Sequence, residues 1–266
     1  MNDRPAFYIG TSGWNYRHWK GPFYPPGLRA TELLPFYRER FSTVEVNNSF
    51  YILPSIGTFA AWRRDAGDDF RFAVKASRFI THMKKLKDPE EPIARLLGRV
   101  QALGPALGPI LFQLPPRWRY NRDRLEHFLA VLPSTYRFAI EFREPSWWND
   151  DVYDLLRRSN VAFCIFDLAG RQSPPIVTAD FVYVRLHGPE AAYQGRYGRE
   201  RLALWLHRFR EWSDSTRDLY CYFDNDQNGY APQDALELNE LVRSNDGPPE
   251  RMGMRNDAWI PALSTH

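Results

Sequence analysis

Eight short apolar runs, each closing on polar or charged residues, recur along this chain at spacings of roughly 20 to 40 residues. They occupy residues 6–14, 43–50, 70–77, 109–115, 137–143, 161–167, 181–188 and 219–226. Helical periodicity fills most of the gaps, at 31–41, 55–66, 89–103, 122–132, 150–159, 199–212 and 232–242. Parallel strands need such crossovers, and eight is the number that closes a parallel barrel. The fold class expected is therefore α/β, a TIM-barrel-like (β/α)8 barrel. Ser55 after Pro54, Asn121 before RDRLEHFLAVL, and Pro232 supply helix start signals. The stretch AGRQSPPIVTAD at 169–180 carries two adjacent prolines and is too short for a full helix, so the barrel is expected to be irregular after strand six.

With 266 residues, 44% of them hydrophobic and 25% charged, the chain can bury one large core. The expected division is a single barrel domain over 1–243 and a loosely packed extension over 244–266, rich in Asn, Asp, Gly and Pro. No run approaches the ~18 apolar residues of a membrane span, and the opening MNDRPAFYIG lacks an apolar signal region, which predicts a cytoplasmic protein with no membrane partner. Cys164 and Cys221 sit inside apolar strands, where a thiol behaves as a small hydrophobe. No GxGxxG or GxxxxGK[ST] loop occurs, so no nucleotide cofactor is expected. No HExxH or close Cys/His set occurs either, and no metal is expected. A magnesium site from Glu45, Glu141 and Asp167 is opposed by the cations interleaved with them.

Side chains alternate across a strand, so strand parity selects an inward-facing set. It takes Glu141 and Arg143 from strand five and Tyr183, Arg185 and His187 from strand seven. Strands two and three add Glu45, Asn47, Lys75 and Ser77, and strands four, six and eight add Gln113, Asp167 and Asn225. Most lie at C-terminal strand ends, the face where barrels place their sites. Buried charges cost several kcal/mol unless paired. Three carboxylates (Glu45, Glu141, Asp167) against three cations (Lys75, Arg143, Arg185) either fill the mouth by mutual compensation or form a polar site. Glu141 reads as a general acid or base, or as a salt-bridge partner of an arginine. His187 reads as a proton-transfer group or a hydrogen-bonded barrel histidine. Lys75 reads as an anion-binding group or a desolvated nucleophile. His82 also falls on the mouth, and Asn225 orients a ligand or shapes its turn.

The loops after the strands interleave rings and cations. WNYRHWKGPFYPPG carries Trp14, Tyr16, Trp19, Phe23 and Tyr24 beside Arg17, His18 and Lys20, and PPRWRYNR repeats the mixture. Tyr193, Arg196 and Tyr197 extend it in the seventh loop. Such loops suit stacking on sugars or single-stranded nucleic acid; the same rings can equally lid the core.

The strings GTSGWNYRHWKGPFYP at 10–25, VEVNNSFY at 44–51, FAVKASRFITH at 72–82, ILFQLPP at 110–116, IEFREPSW at 140–147, VRLHG at 184–188 and YFDND at 222–226 resemble the YecE-like family, the domain of unknown function numbered 72. The resemblance runs from the first strand to the last helix and implies a TIM-barrel-like fold. It implies no reaction, because none is established for that family.

Two functions follow from the residues. The first is an enzyme using acid/base chemistry on a small anionic ligand bearing sugar or phosphate, a hydrolase or lyase in type. Glu141, His187 and Lys75 would be catalytic, with Arg143 and Arg185 holding the anion. Asn47, Gln113 and Asn225 would orient the ligand, with Trp14 and Tyr193 or Tyr197 closing over it. The second is a non-catalytic nucleic-acid binder using the aromatic and arginine loops at the same mouth.

Overall fold

The computed structural model describes residues 5–244. Eight parallel strands form its wall: β1 (Ala6–Thr11), β2 (Thr43–Val46), β3 (Arg71–Lys75), β4 (Leu107–Gln113), β5 (Phe138–Glu141), β6 (Val161–Leu168), β8 (Phe181–Leu186) and β9 (Asp218–Phe223). β7 (Arg171–Gln172) is a short antiparallel addition to β6. Strand order runs β2-β3-β4-β5-β6-β8-β9-β1. Helices α1 (Leu33–Arg38), α2 (Ile56–Ala66), α3 (Glu90–Val100), α4 (Arg122–Val131), α5 (Asp150–Arg158), α6 (Gly198–Ser213) and α7 (Tyr230–Ser244) occupy the expected gaps. Ser55 and Asn121 cap α2 and α4, accepting from the Thr58 and Arg124 amides at 3.1 and 2.9 Å. α3 tightens into a 3-10 segment, Gln101–Ala106, before β4. The extension expected from residue 244 lies, beyond Ser244, outside the described residues.

Two apolar layers separate along each strand. Residues of one parity in each strand, such as Val44, Phe72, Ile110, Ile140 and Val184, pack outward against the helices. The barrel interior holds Ala73, Ala139 and Ala162 on one side and Tyr183, Tyr220 and Tyr222 on the other. Large rings thus fill the space that alanines leave. Their hydroxyls are satisfied at the ends of the interior: Tyr222 meets Thr43 Oγ1 at 2.7 Å, and Tyr220 accepts from Arg137 at 3.1 Å.

The barrel is nearly closed rather than uniformly laddered. β1 and β2 share a single bridge, Ser12 with Glu45, together with the Gly13 amide on the Glu45 carbonyl at 2.8 Å. Below it the Tyr37 hydroxyl, from α1, accepts the Thr11 amide at 3.0 Å and donates to the Thr43 carbonyl at 3.1 Å. A side chain here replaces a backbone rung. Gly10 permits the approach, since a Cβ at that position would stand 2.3 Å from the Thr43 carbonyl oxygen.

Residues 169–180 form no helix, as the prolines require. The β6 backbone is satisfied there by side chains instead. Thr178 Oγ1 accepts the Phe163 amide and donates to the Val161 carbonyl, both at 2.7 Å, and Ser173 Oγ accepts the Phe166 amide at 2.9 Å.

Candidate functional site at the barrel mouth

Arg185 stands at the centre of the C-terminal mouth and is completely buried. Its place on β8 follows from alternation with Val184 and Leu186, which pack outward. One guanidinium nitrogen donates to Glu141 Oε2 at 2.8 Å, and the other to Glu45 Oε1 at 2.8 Å and Asp224 Oδ2 at 3.1 Å. Glu45 also accepts from Ser12 Oγ at 2.5 Å and from the Tyr183 hydroxyl at 2.7 Å. Glu141 Oε1 is taken by Arg143. Against the cost of burial, Arg143 and Arg185 hold the Glu141 carboxyl well below its ordinary range.

His187 lies two residues beyond Arg185 on the same face. Its Nδ1 is 3.0 Å from Asp224 Oδ2, and a carboxylate there requires a donor, so the proton sits on Nδ1. Nε2 then accepts from Arg143 at 3.1 Å and Arg185 at 3.3 Å. Burial opposes ionisation of Asp224, yet His187 and Arg185 together hold its carboxyl below the ordinary value. Gly188, with φ +115°, bends the chain so that the Tyr193 amide returns to the His187 carbonyl at 2.6 Å.

Lys75 occupies the β3 side of the mouth under different conditions. Its ammonium donates one hydrogen bond, to Asn47 Oδ1 at 3.2 Å, and lies 4.4 Å from the centre of the Phe50 ring. Burial, then the like charge of Arg185, pushes the amine down to about 8. His82 stands nearby, edge-on to Phe50 at 5.0 Å, its imidazole pushed down by burial and by Lys75, Arg78 and Arg143. Gln113 pairs in register with Glu141 and is half-buried at the mouth. Tyr193, 45% exposed, sets its ring 5.7 Å from His187.

Glu45, Asn47, Lys75, His82, Gln113, Glu141, Arg143, Arg185, His187 and Tyr193 are therefore brought together. Four residues expected with them are not. Asp167 follows the outward parity of Val161, Phe163 and Ile165, while Phe166 faces the mouth beside Arg143. Burial pushes the Asp167 carboxyl up. Asn225 follows outward Phe223; its amide binds the Gly195 carbonyl at 2.9 Å and Asp234 at 2.7 Å, holding the seventh loop. Tyr197 is buried, its hydroxyl accepting the Gly188 amide at 3.1 Å. Trp14 does not join the ion cluster; it packs edge-to-face on Trp62 at 5.0 Å, at the side of the mouth. Asp224 and Ser12 were missed. The alternation Tyr220, Tyr222, Asp224 against Leu219, Cys221, Phe223 carries the signal for Asp224, and Ser12 is the inward residue two beyond Gly10.

Among the described residues no group of three or more His, Cys, Asp and Glu is arranged to hold a metal ion. Glu45, Glu141 and Asp224 converge on a guanidinium instead. Nor, among the described residues, is any helix long and apolar enough to cross a membrane.

A nearly closed parallel barrel with an ion cluster at its C-terminal mouth defines a TIM-barrel-like protein. The match of residues 8–255 to the family described as protein of unknown function DUF72 goes further: the chain belongs to that family. It is 26% identical to the UPF0759 protein YecE of Escherichia coli K12, over 89% of this chain and 92% of that one. It is 24% identical to the UPF0759 protein YunF of Bacillus subtilis, over 88% and 94%. The crystal structure of a DUF72 family protein from Thermotoga maritima superposes with a TM-score of 0.80 at 29% identity, covering 90% of this chain and 99% of that one. A D-allulose 3-epimerase from Methylomonas shares the fold at a TM-score of 0.52 and 10% identity, over 92% and 98%.

Proposed function

We propose that this barrel is an enzyme that applies acid/base chemistry to a small ligand carrying an anionic group, bound at the C-terminal mouth. One observation carries the reading. Lys75 spends a single hydrogen bond of the three its ammonium can donate, whereas Glu141, Asp224 and His187 are each enclosed by partners. An unspent buried donor is costly unless a ligand takes it. Lys75 is accordingly the group that meets the anion and passes a proton. Arg143, 11% exposed at its side chain, is its companion cation across the mouth. Glu141 and the Asp224–His187 pair then act as positioning groups: their bonds fix the guanidinium of Arg143 and that of Arg185.

The loops favour a small ligand over a nucleic-acid surface. Trp19, Tyr24 and Trp147 are fully buried, and Trp147 packs with Trp118 and Tyr120 rather than offering a stacking face. Arg196 is engaged by Asp234 and Glu237.

A thermal-shift screen of phosphorylated and carboxylated metabolites tests this function. At least one compound is expected to stabilise the wild type and not Lys75→Met, with binding fading as pH rises through about 8. Equal stabilisation of both proteins would remove Lys75 from the site.

A further inference from the structure

A cleft of about 590 Å³ opens beside the mouth, between the loops leaving β1 and β2 and helices α1 and α2. Its wall is aromatic: Trp14, Tyr16, Trp62 and the ring of Tyr51, which is 68% exposed. Its polar side chains are Asn15, Thr31, Asn47, Asn48 and Asp65, with the hydroxyls of Tyr16 and Tyr51. No Lys, Arg or His lines it among the described residues. Asn47 belongs to the cleft and to the site at once, because its Oδ1 takes the Lys75 ammonium at 3.2 Å.

The lining constrains the occupant. Without a cation, the cleft cannot neutralise the anionic group assigned to Lys75, so it takes a neutral portion of the same ligand. Amides offer donors and acceptors together, and a carboxylate adds acceptors, which matches hydroxyl groups that need both. The side-chain amide of Asn48 has no partner among the described residues, and Asp65 holds Arg64 only at 3.5 Å. A flat base would need parallel rings to enter between, but Trp14 and Trp62 cross at 88° and are spent on each other. A polyhydroxylated ring resting its C–H face on Tyr51 needs one ring and several polar partners.

We infer that this cleft is the sugar subsite of the mouth, and that the ligand is a monosaccharide bearing a phosphate or carboxylate, with Asn47 at the junction. The inference rests on the anion reading of Lys75 given above, and the two can fail separately. Titration calorimetry with inorganic phosphate, glucose 6-phosphate, ribose 5-phosphate, gluconate and adenosine monophosphate is the test. It compares wild type, Tyr51→Ala, Asn48→Ala and Lys75→Met. Tyr51 and Asn48 are exposed, so their substitution leaves the fold intact. At least one anionic sugar is expected to bind about tenfold more tightly than phosphate, a gain of about 1.4 kcal/mol. Tyr51→Ala and Asn48→Ala should erase that gain and leave phosphate binding unchanged, while Lys75→Met abolishes both. Lys75-dependent phosphate binding that no sugar improves would overturn the subsite alone. A gain confined to adenosine monophosphate would replace the sugar by a base. Sugar binding that depends on Tyr51 and ignores Lys75 would keep the cleft and remove the anion reading, and no binding by any probe would overturn both.

Discussion

The two sides of the barrel mouth solve the same problem, charge in a dry place, in opposite ways. Around β8 and β9 the clustered carboxylates meet guanidinium groups: Glu45, Glu141 and Asp224 share Arg185, and Glu141 also takes Arg143. On β3 a single ammonium is left with an amide oxygen and the face of a ring. The first side, apart from the buried Nε of Arg185, which has no partner among the described residues, is satisfied by its own ion pairs. The second is not, and that asymmetry separates scaffold from site.

The asymmetry is largest at Arg185. Arg185→Met leaves three buried carboxylates without their common partner and is expected to destabilise the fold by about 3–5 kcal/mol in urea unfolding. A loss under 1 kcal/mol would mean the carboxylates are compensated elsewhere. The same variant should unfold at a higher pH in acid. Glu141 and Asp224 are held below their ordinary values of 4.5 and 3.8, so their contribution is present above those values and lost as pH falls below them. Without Arg185 that loss begins earlier.

Lys75→Met should act with the opposite sign. The folded amine titrates near 8 against 10.5 ordinarily, so the unfolded chain binds more protons between those values and wild-type stability rises with pH across that window. Below it the buried charge costs on the order of 3 kcal/mol. Lys75→Met is therefore expected to raise the melting temperature at pH 7, with the difference shrinking toward pH 10. A variant less stable than wild type at pH 7 would place Lys75 with the scaffold. Tyr37→Phe gives the smallest effect. Losing the hydroxyl rung between β1 and β2 should cost about 1–2 kcal/mol and speed amide exchange at Thr11. An unchanged exchange rate there would show the seam closed by the backbone alone.

Sequence alone made the barrel legible because eight apolar runs alternate with amphipathic helices, and both signals are local. On β3, β5 and β8 the inward residues were legible too, since Ala73, Ala139 and Tyr183 fix a parity that reaches Lys75, Glu141 and Arg185. β9 shows where that reasoning slips. Both Asp224 and Asn225 are polar, and choosing between them needed the parity of Tyr220 and Tyr222 carried one step past the strand end. β6 failed likewise, where Asp167 shares the outer face of Val161, Phe163 and Ile165. The loop aromatics were ambiguous for another reason: whether Trp19 or Trp147 faces solvent depends on packing partners such as Tyr24, Trp118 and Phe142, far away or with no periodic cue.

The seam between β1 and β2 also sets an order of events. β1 is the first strand of the described chain, yet its full ladder is with β9, where Thr11 pairs with Phe223. Toward β2, which follows it closely, it has one bridge and a tyrosine hydroxyl. During synthesis β1 must therefore wait, with its edge unpaired, until the last strand has emerged, and closure of this barrel is a late, long-range step. Ser12 and Glu45 lie on that seam, so the ion cluster of the mouth is assembled only when the two ends of the wall meet.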